Sequence, residues 1–193
     1  GCDGRPEPYV NDRRMNCPLG KVVGGSSSIN GMVYVRGHAN DYDEWEYCGA
    51  VGWNYQSCLP YFKKLESHEC VASEYAGSDG PVSVSGGNNM RNPLYRAFID
   101  AGVDAGYAET DDYNGFRQEG FGQKFMTVDR GVRASTSHAY LDTAKKRSNL
   151  TLLKHALVTK VVFDDKTAIG IQCEVRGIMQ TFAARREVIL CAG

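Results

Sequence analysis

The sequence predicts a mixed fold of helices and strands, α+β or α/β in class, and three observations predict it. Helical periodicity and loop-rich stretches fill the larger, first part of the chain. From Asn149 onward the apolar residues change to period two, in short runs separated by turns. The last run, Val188-Ile189-Leu190-Cys191, reads as a buried strand reaching a turn at Ala192-Gly193. In α/β folds such a strand feeds a helix, and the chain starts Gly-Cys-Asp-Gly without Met, so an internal piece of a longer protein is expected.

Residues 1–19 are polar, rich in Pro, Arg and Asn, and are expected to be extended or looped. Gly20 to Met32 follows, with Gly24 and Gly25 free to take positive φ and three serines supplying small donors before the apolar residue Ile29. This predicts a loop entering a helix. A phosphate could bind backbone N–H groups and Ser hydroxyls at such a helix start. The same residues also fit a plain Gly/Ser loop with Ser27 or Ser28 as N-cap, and they form neither a P-loop nor a GxGxxG.

Asp41 to Trp45 reads as a polar-aromatic turn, and Asn54 as the cap of a helix with Leu59, Phe62 and Leu65 on one face. Gly77 to Asn92, rich in Gly, Ser and Asn, surrounds Val82-Ser83-Val84, an expected edge strand near a domain boundary. Asn92-Pro93 then opens the clearest helix, with Leu94, Ala97, Phe98, Ala101 and Ala105 on a common face and Gly106 as its stop. After a Gly- and aromatic-rich stretch from Asn114 to Thr127, a second helix is expected from Ser135 to Lys146. Strands are expected at Leu150 to Leu153, Leu157 to Phe163, Ala168 to Val175, Ile178 to Phe182 and Glu187 to Cys191, with turns at Asp164-Asp165-Lys166 and Arg176-Gly177.

Composition excludes several classes. Of 193 residues 42% are hydrophobic and 23% charged, and the formal net charge is -1, so no basic footprint suggests a nucleic-acid partner. No apolar run approaches the roughly 18 residues that span a bilayer, although such a chain is free to bind a membrane peripherally. Seven scattered cysteines without a CxxC pair suit a reducing compartment better than a disulfide framework. The four histidines, His38, His68, His138 and His155, lie at no zinc-ligand spacing, and no metal is expected.

The residues Gly20-Lys21-x-Val23-Gly24-Gly25-Ser26-Ser27-x-Ile29-Asn30-x3-Tyr34-x2-Gly37-x5-Asp43 match every defined position of the first signature of glucose-methanol-choline flavoproteins. The resemblance covers nearly the whole chain. It includes Tyr34 to His38, Cys58 to Phe62, Asp79 to Pro81, Asn114 to Gly122, Arg133 to Thr136 and Glu187 to Gly193, and it is strongest to the family's bacterial choline-oxidising members. It implies a two-domain flavoprotein, with residues 1–75 in the FAD-binding domain, 76–148 a substrate-domain segment with a return helix, and 149–193 the FAD-domain meander and terminal strand.

Carried over by position, Gly24, Gly25 and Ser26 are implied to face the FAD pyrophosphate, and Asn30, Gly31, Met32 and Val33 to approach the flavin. Val158 matches a family valine whose backbone meets the adenine, and it also reads as an ordinary strand residue. Some choline-oxidising relatives carry at the position of Ile29 a histidine that bonds covalently to FAD. An Ile side chain cannot do this, so noncovalent FAD is expected.

The family's GxGxxG and ribose-binding Glu precede this region, and its catalytic His follows it, so no catalytic residue is assigned here. The resemblance implies removal of an alcohol's hydroxyl proton and hydride transfer to FAD. Choline is the expected substrate and betaine aldehyde the product, on the route to glycine betaine, with oxygen or the respiratory chain as electron acceptor. The expected location is the cytoplasm or the inner face of a bacterial cell membrane, with a mitochondrial protein as the alternative. Tyr113, Phe116, Glu119 and Phe121 would suit a trimethylammonium pocket by composition, and no role is assigned to them. Ser135-Thr136-Ser137-His138 is rejected as a hydrolase site, because neighbours on a helix do not face one another and no GxSxG elbow exists. Two rival readings are a family member acting on another primary alcohol and a noncatalytic module.

Overall fold

The computed structural model describes residues 2–192. Gly193, at the expected final turn, lies outside them. The chain divides into two compact units, Gly1–Ala144 and Lys145–Gly193.

The first unit opens with an antiparallel hairpin, β1 (Cys2–Glu7) and β2 (Arg13–Cys17), turned by Asn11 and Asp12 at φ 59 and 53. The stretch expected to be extended or looped is thus extended over two strands that pair with each other.

No α-helix starts at Ile29, contrary to expectation. A short 3-10 helix, Gly25–Ser28, ends there, and the chain leaves it through a turn at Ile29 and a bend at Asn30. The cause is local competition for backbone groups. Ser27 and Ser28 hydroxyls donate to Gly24 O and Val23 O, the Asn30 side chain accepts from Met32 N, and Met32 takes φ 61, which a propagating helix forbids.

Asp41 to Trp45 also differs from expectation, since it lies in a helix, α1 (Ala39–Tyr47). His38 acts as the N-cap: its Nδ1 accepts from Asn40 N while the Asp41 carboxylate accepts from His38 N. A histidine is an uncommon cap, so the start signal is easily missed. Helix α2 (Tyr55–Leu65) begins as expected at Asn54, whose side chain accepts from Ser57 N.

Strand β3 (Glu66–His68) pairs in parallel with β4 (Val82–Val84). Both β4 valines are buried, and the strand, an edge of a two-stranded sheet, is prolonged at Ser85 into a bridge with Met126. Helix α3 (Pro93–Asp104) is capped by Asn92 as expected. Its buried face is however Ile99 and Gly102, while Leu94 and Phe98 are 71% and 67% exposed. The Phe121 ring decides the face: a Cβ on Gly102 would lie 2.5 Å from it, so only a glycine lets the ring settle on the helix.

A small hairpin, β5 (Val128–Asp129) and β6 (Val132–Arg133), leads to a π-helical turn at Ser137–Leu141 and to α4 (Asp142–Ala144), within the helix expected over 135–146. Val82, Val84, Ile99, Phe125 and Ala134 form the core of this unit.

The second unit is an antiparallel meander of β7 (Ala156–Asp164), β8 (Thr167–Val175) and β9 (Ile178–Ala183), in that order. Its turns fall where expected, with Asp165, Arg176 and Gly177 at φ 50, 50 and 83. Central β8 holds the buried residues Gly170, Cys173 and Val175. The runs at 150–153 and 187–191, expected as strands, are not strands: an apolar run becomes one only by pairing, and neither pairs among the described residues.

Candidate cofactor site

The loop from Gly20 to Val33 is folded tightly on itself. Gly20 N donates to Ser26 Oγ at 3.2 Å and Gly25 N to Val22 O at 2.9 Å. A Cβ on Gly20 would lie 2.2 Å from Gly25 O, so the crossing requires glycine. Gly24 and Gly25, at φ 92 and 56, make the left-handed bend.

Two residues from far along the chain fasten this loop. Thr136 N donates to Ser27 Oγ at 2.9 Å, and Thr136 Oγ1 donates to Gly24 O at 3.1 Å. Arg133 Nη1 lies 3.2 Å from Ser27 O, 2.8 Å from Asn30 O and 2.7 Å from Asn30 Oδ1. Asn30 Oδ1 also accepts from Met32 N at 3.1 Å. Beyond Met32 the chain forms an isolated antiparallel bridge between Val33 and Met126, with Thr127 N donating to Met32 O at 2.8 Å and Tyr34 N to Phe125 O at 3.0 Å.

The opposite side of the loop is open. A Cβ at Gly25 or Gly31 would meet nothing within 4 Å. Val33 occupies a non-hydrogen-bonded position opposite Met126, so its own N–H points away from that partner. Among the described residues no group accepts from the N–H of Gly31 or Val33. These features suit a cofactor that lies against bare backbone: glycines leave room for close approach, and the amides supply donors. With no α-helix after the loop, a helix dipole contributes nothing, and any anion would be held by amides and hydroxyls.

Seven of the eight expected cofactor residues, Gly24, Gly25, Ser26, Asn30, Gly31, Met32 and Val33, therefore lie in one continuous feature. Val158 belongs to the other unit, half-exposed on β7, where it lines an open cleft of about 770 Å³ with Val161, Ile171, Phe182, Val188 and Ile189.

Behind the loop, a buried polar cluster fixes the arm from Tyr34 to Gly37. The Arg36 guanidinium pairs with Glu66 and donates to Tyr75 O at 2.9 Å. Arg36 N donates to Asn114 Oδ1 at 2.8 Å, and Gln118 Nε2 to Arg36 O at 3.0 Å. Burial is the largest single influence on the Arg36 pKa and lowers it, but the Glu66 carboxylate and the Tyr34 phenol together outweigh it and the net shift is upward. Burial, reinforced by Glu66, holds the Tyr34 phenol protonated well above the usual phenol range. The Tyr113 hydroxyl accepts from Phe125 N and donates to Tyr34 O, each at 2.8 Å, which commits it to the backbone. Phe121 packs on α3, and Phe116 is 91% exposed beside a cavity of about 240 Å³ lined by His38, Tyr55, Tyr75, Asn114 and Gln118.

Sequence reasoning gave no role to Arg133 or Thr136. They stand in a short Arg-Ala-Ser-Thr run, and no spacing rule brings position 133 to position 30. His138 lies between Asp129 and Asp142, 3.4 Å from each, and the Asp129 carboxyl is held below the usual range by Arg130 first and His138 second. Among the described residues no cluster of His, Cys, Asp or Glu could hold a metal, and no helix is long and apolar enough to cross a membrane.

The chain is similar to known proteins along nearly its whole length. An oxygen-dependent choline dehydrogenase of Vibrio vulnificus is 59% identical over 188 residues, covering 97% of this chain and 34% of that protein. One from Photobacterium profundum is 58% identical over 190 residues, 98% of this chain and 34% of its own length. The chain thus spans about a third of these relatives. An FAD-dependent oxidoreductase from Chaetomium thermophilum superposes over 100% of this chain and 36% of its own, at TM-score 0.91 and 28% identity. The family model described as GMC oxidoreductase matches residues 4–193, and the chain belongs to that family.

Proposed function

We propose that this chain is the part of an FAD-dependent choline dehydrogenase that carries the cofactor loop. The whole protein oxidises choline to betaine aldehyde by passing hydride to FAD. The observation that carries the reading is the high identity along almost the whole chain to proteins named oxygen-dependent choline dehydrogenase. The loop supports it, because its open, glycine-lined side offers unpaired amides.

In this reading Gly24, Gly25 and Ser26 hold the pyrophosphate and Asn30, Gly31, Met32 and Val33 lie against the flavin. The backbone of Val158 meets the adenine. Residues 1–75 and 149–193 serve the FAD-binding domain and 76–148 the substrate domain. Bound FAD supplies the two-electron chemistry; this chain's residues bind it, orient it and exclude water from one side. Ile29 leaves the cofactor noncovalent. Oxygen or a respiratory-chain carrier reoxidises it, in the cytoplasm or at the inner face of a bacterial cell membrane.

The test is product analysis with the full-length, FAD-loaded protein. Betaine aldehyde formed from choline supports the reading. Turnover of a different primary alcohol with choline inert would keep the family and replace the substrate. A full-length protein that holds no flavin would support the noncatalytic reading.

A further inference from the structure

Arg133 and Asn30 are separated by 103 residues, yet one guanidinium nitrogen of Arg133 lies within hydrogen-bond distance of Ser27 O, Asn30 O and Asn30 Oδ1. We propose that Arg133 is a positioning residue for the cofactor: it fixes the shape of the Asn30–Val33 backbone and thereby aims the amides of Gly31 and Val33. The proposal rests on the FAD-binding reading above.

The geometry argues the link step by step. Asn30 Oδ1 receives both Arg133 Nη1 and Met32 N, so the arginine holds the side chain that in turn holds Met32. Met32 sits at φ 61, a conformation costly for a residue with a long side chain, which neighbours must over-determine if it is to persist. Thr127 holds the far side of the same residue through Met32 O. Between these two anchors lies Gly31, with no partner for its N–H among the described residues and no atom within 4 Å of where a Cβ would be. Without the guanidinium, nothing else among the described residues bonds Asn30 O or ties Ser27 O to the β5–β6 hairpin. Lysine keeps the positive charge but carries its ammonium on a shorter, differently shaped side chain, so it does not place a donor where Arg133 Nη1 stands. An arginine whose only task was loop stability would change melting temperature and leave the bound cofactor's properties alone.

The experiment uses the full-length protein with Arg133→Met and Arg133→Lys, and Arg130→Ala as control, since the Arg130 side chain is 90% exposed and, among the described residues, pairs only with neighbouring Asp129. The readouts are the FAD dissociation constant of the apoprotein and the midpoint potential and visible spectrum of the bound flavin. We expect Arg133→Met to weaken FAD binding by about tenfold or more. We also expect a displaced potential in the loaded variant, an intermediate effect for Arg133→Lys and none for Arg130→Ala. Wild-type affinity, potential and spectrum in Arg133→Met would overturn the proposal. If that variant does not fold, the same readouts on Arg133→Lys decide in the same way. A wild-type protein that binds no FAD would remove the functional reading, and this proposal with it.

Discussion

The Arg36 guanidinium lies 2.8 Å from the Glu66 carboxylate, with side chains only 4% and 1% exposed. One Glu66 oxygen also accepts from Gly77 N, and the Arg36 guanidinium lies 5.2 Å from the centre of the Phe62 ring. The pair thus ties the arm leaving the cofactor loop to α2, β3 and the Tyr75–Gly77 turn.

Removing one member strands the other charge in the interior. Arg36→Met or Glu66→Gln should each destabilise the fold by about 3–5 kcal/mol, and the double replacement should cost less than the two losses added together. Urea unfolding of the four proteins gives the coupling.

His68 should make the protein acid-sensitive. Burial is the main force lowering its pKa, and the Glu66 and Asp112 carboxylates oppose it only in part. Its Nδ1 accepts from Cys70 N and Val71 N, and its Nε2 has no partner among the described residues, so the neutral ring fits the site. A folded-state pKa below the ordinary 6.5 means that the unfolded chain binds more protons in acid. Stability should therefore fall as pH drops through 6.5 and level off once the folded state is also protonated. His68→Asn, which keeps an acceptor and does not titrate, should flatten this slope between about pH 7 and 5 in chemical unfolding.

Two glycines in the cofactor loop should respond differently to alanine. Gly20→Ala drives a Cβ into Gly25 O and should cost about 2–3 kcal/mol of stability. Gly31→Ala meets nothing in the chain and should change stability by less than about 0.5 kcal/mol. Weaker FAD binding by Gly31→Ala in the full-length protein, at unchanged melting temperature, would show that the empty side of the loop is where the cofactor lies.

The FAD should be released intact. Ile29 offers no nucleophile, so acid precipitation of the holoprotein should leave all flavin in the supernatant. Flavin remaining with the pellet would contradict noncovalent binding.

What the sequence shows plainly here is what depends on neighbouring residues. Asn54 and Asn92 announce their helices because cap and first turn are adjacent, and Asp165 and Gly177 announce the meander's turns for the same reason. The glycine-rich loop is visible as a loop, and its signature spacing identifies the family. Its internal shape is not visible, because Ser27, Ser28 and Asn30 turn their side chains onto nearby backbone and stop the helix that Ile29 suggests. The buried face of α3 depends on Phe121, and the loop's clamp on Arg133 and Thr136. Those partners are distant in sequence, and only folding selects them.

The most direct test is anaerobic addition of choline to the full-length, FAD-loaded protein while the visible flavin band is watched. We predict bleaching by choline in stoichiometric amounts and recovery of the band on admitting oxygen or another acceptor. A protein that holds flavin and keeps its full absorbance in choline, while another alcohol bleaches it, would contradict the choline dehydrogenase reading.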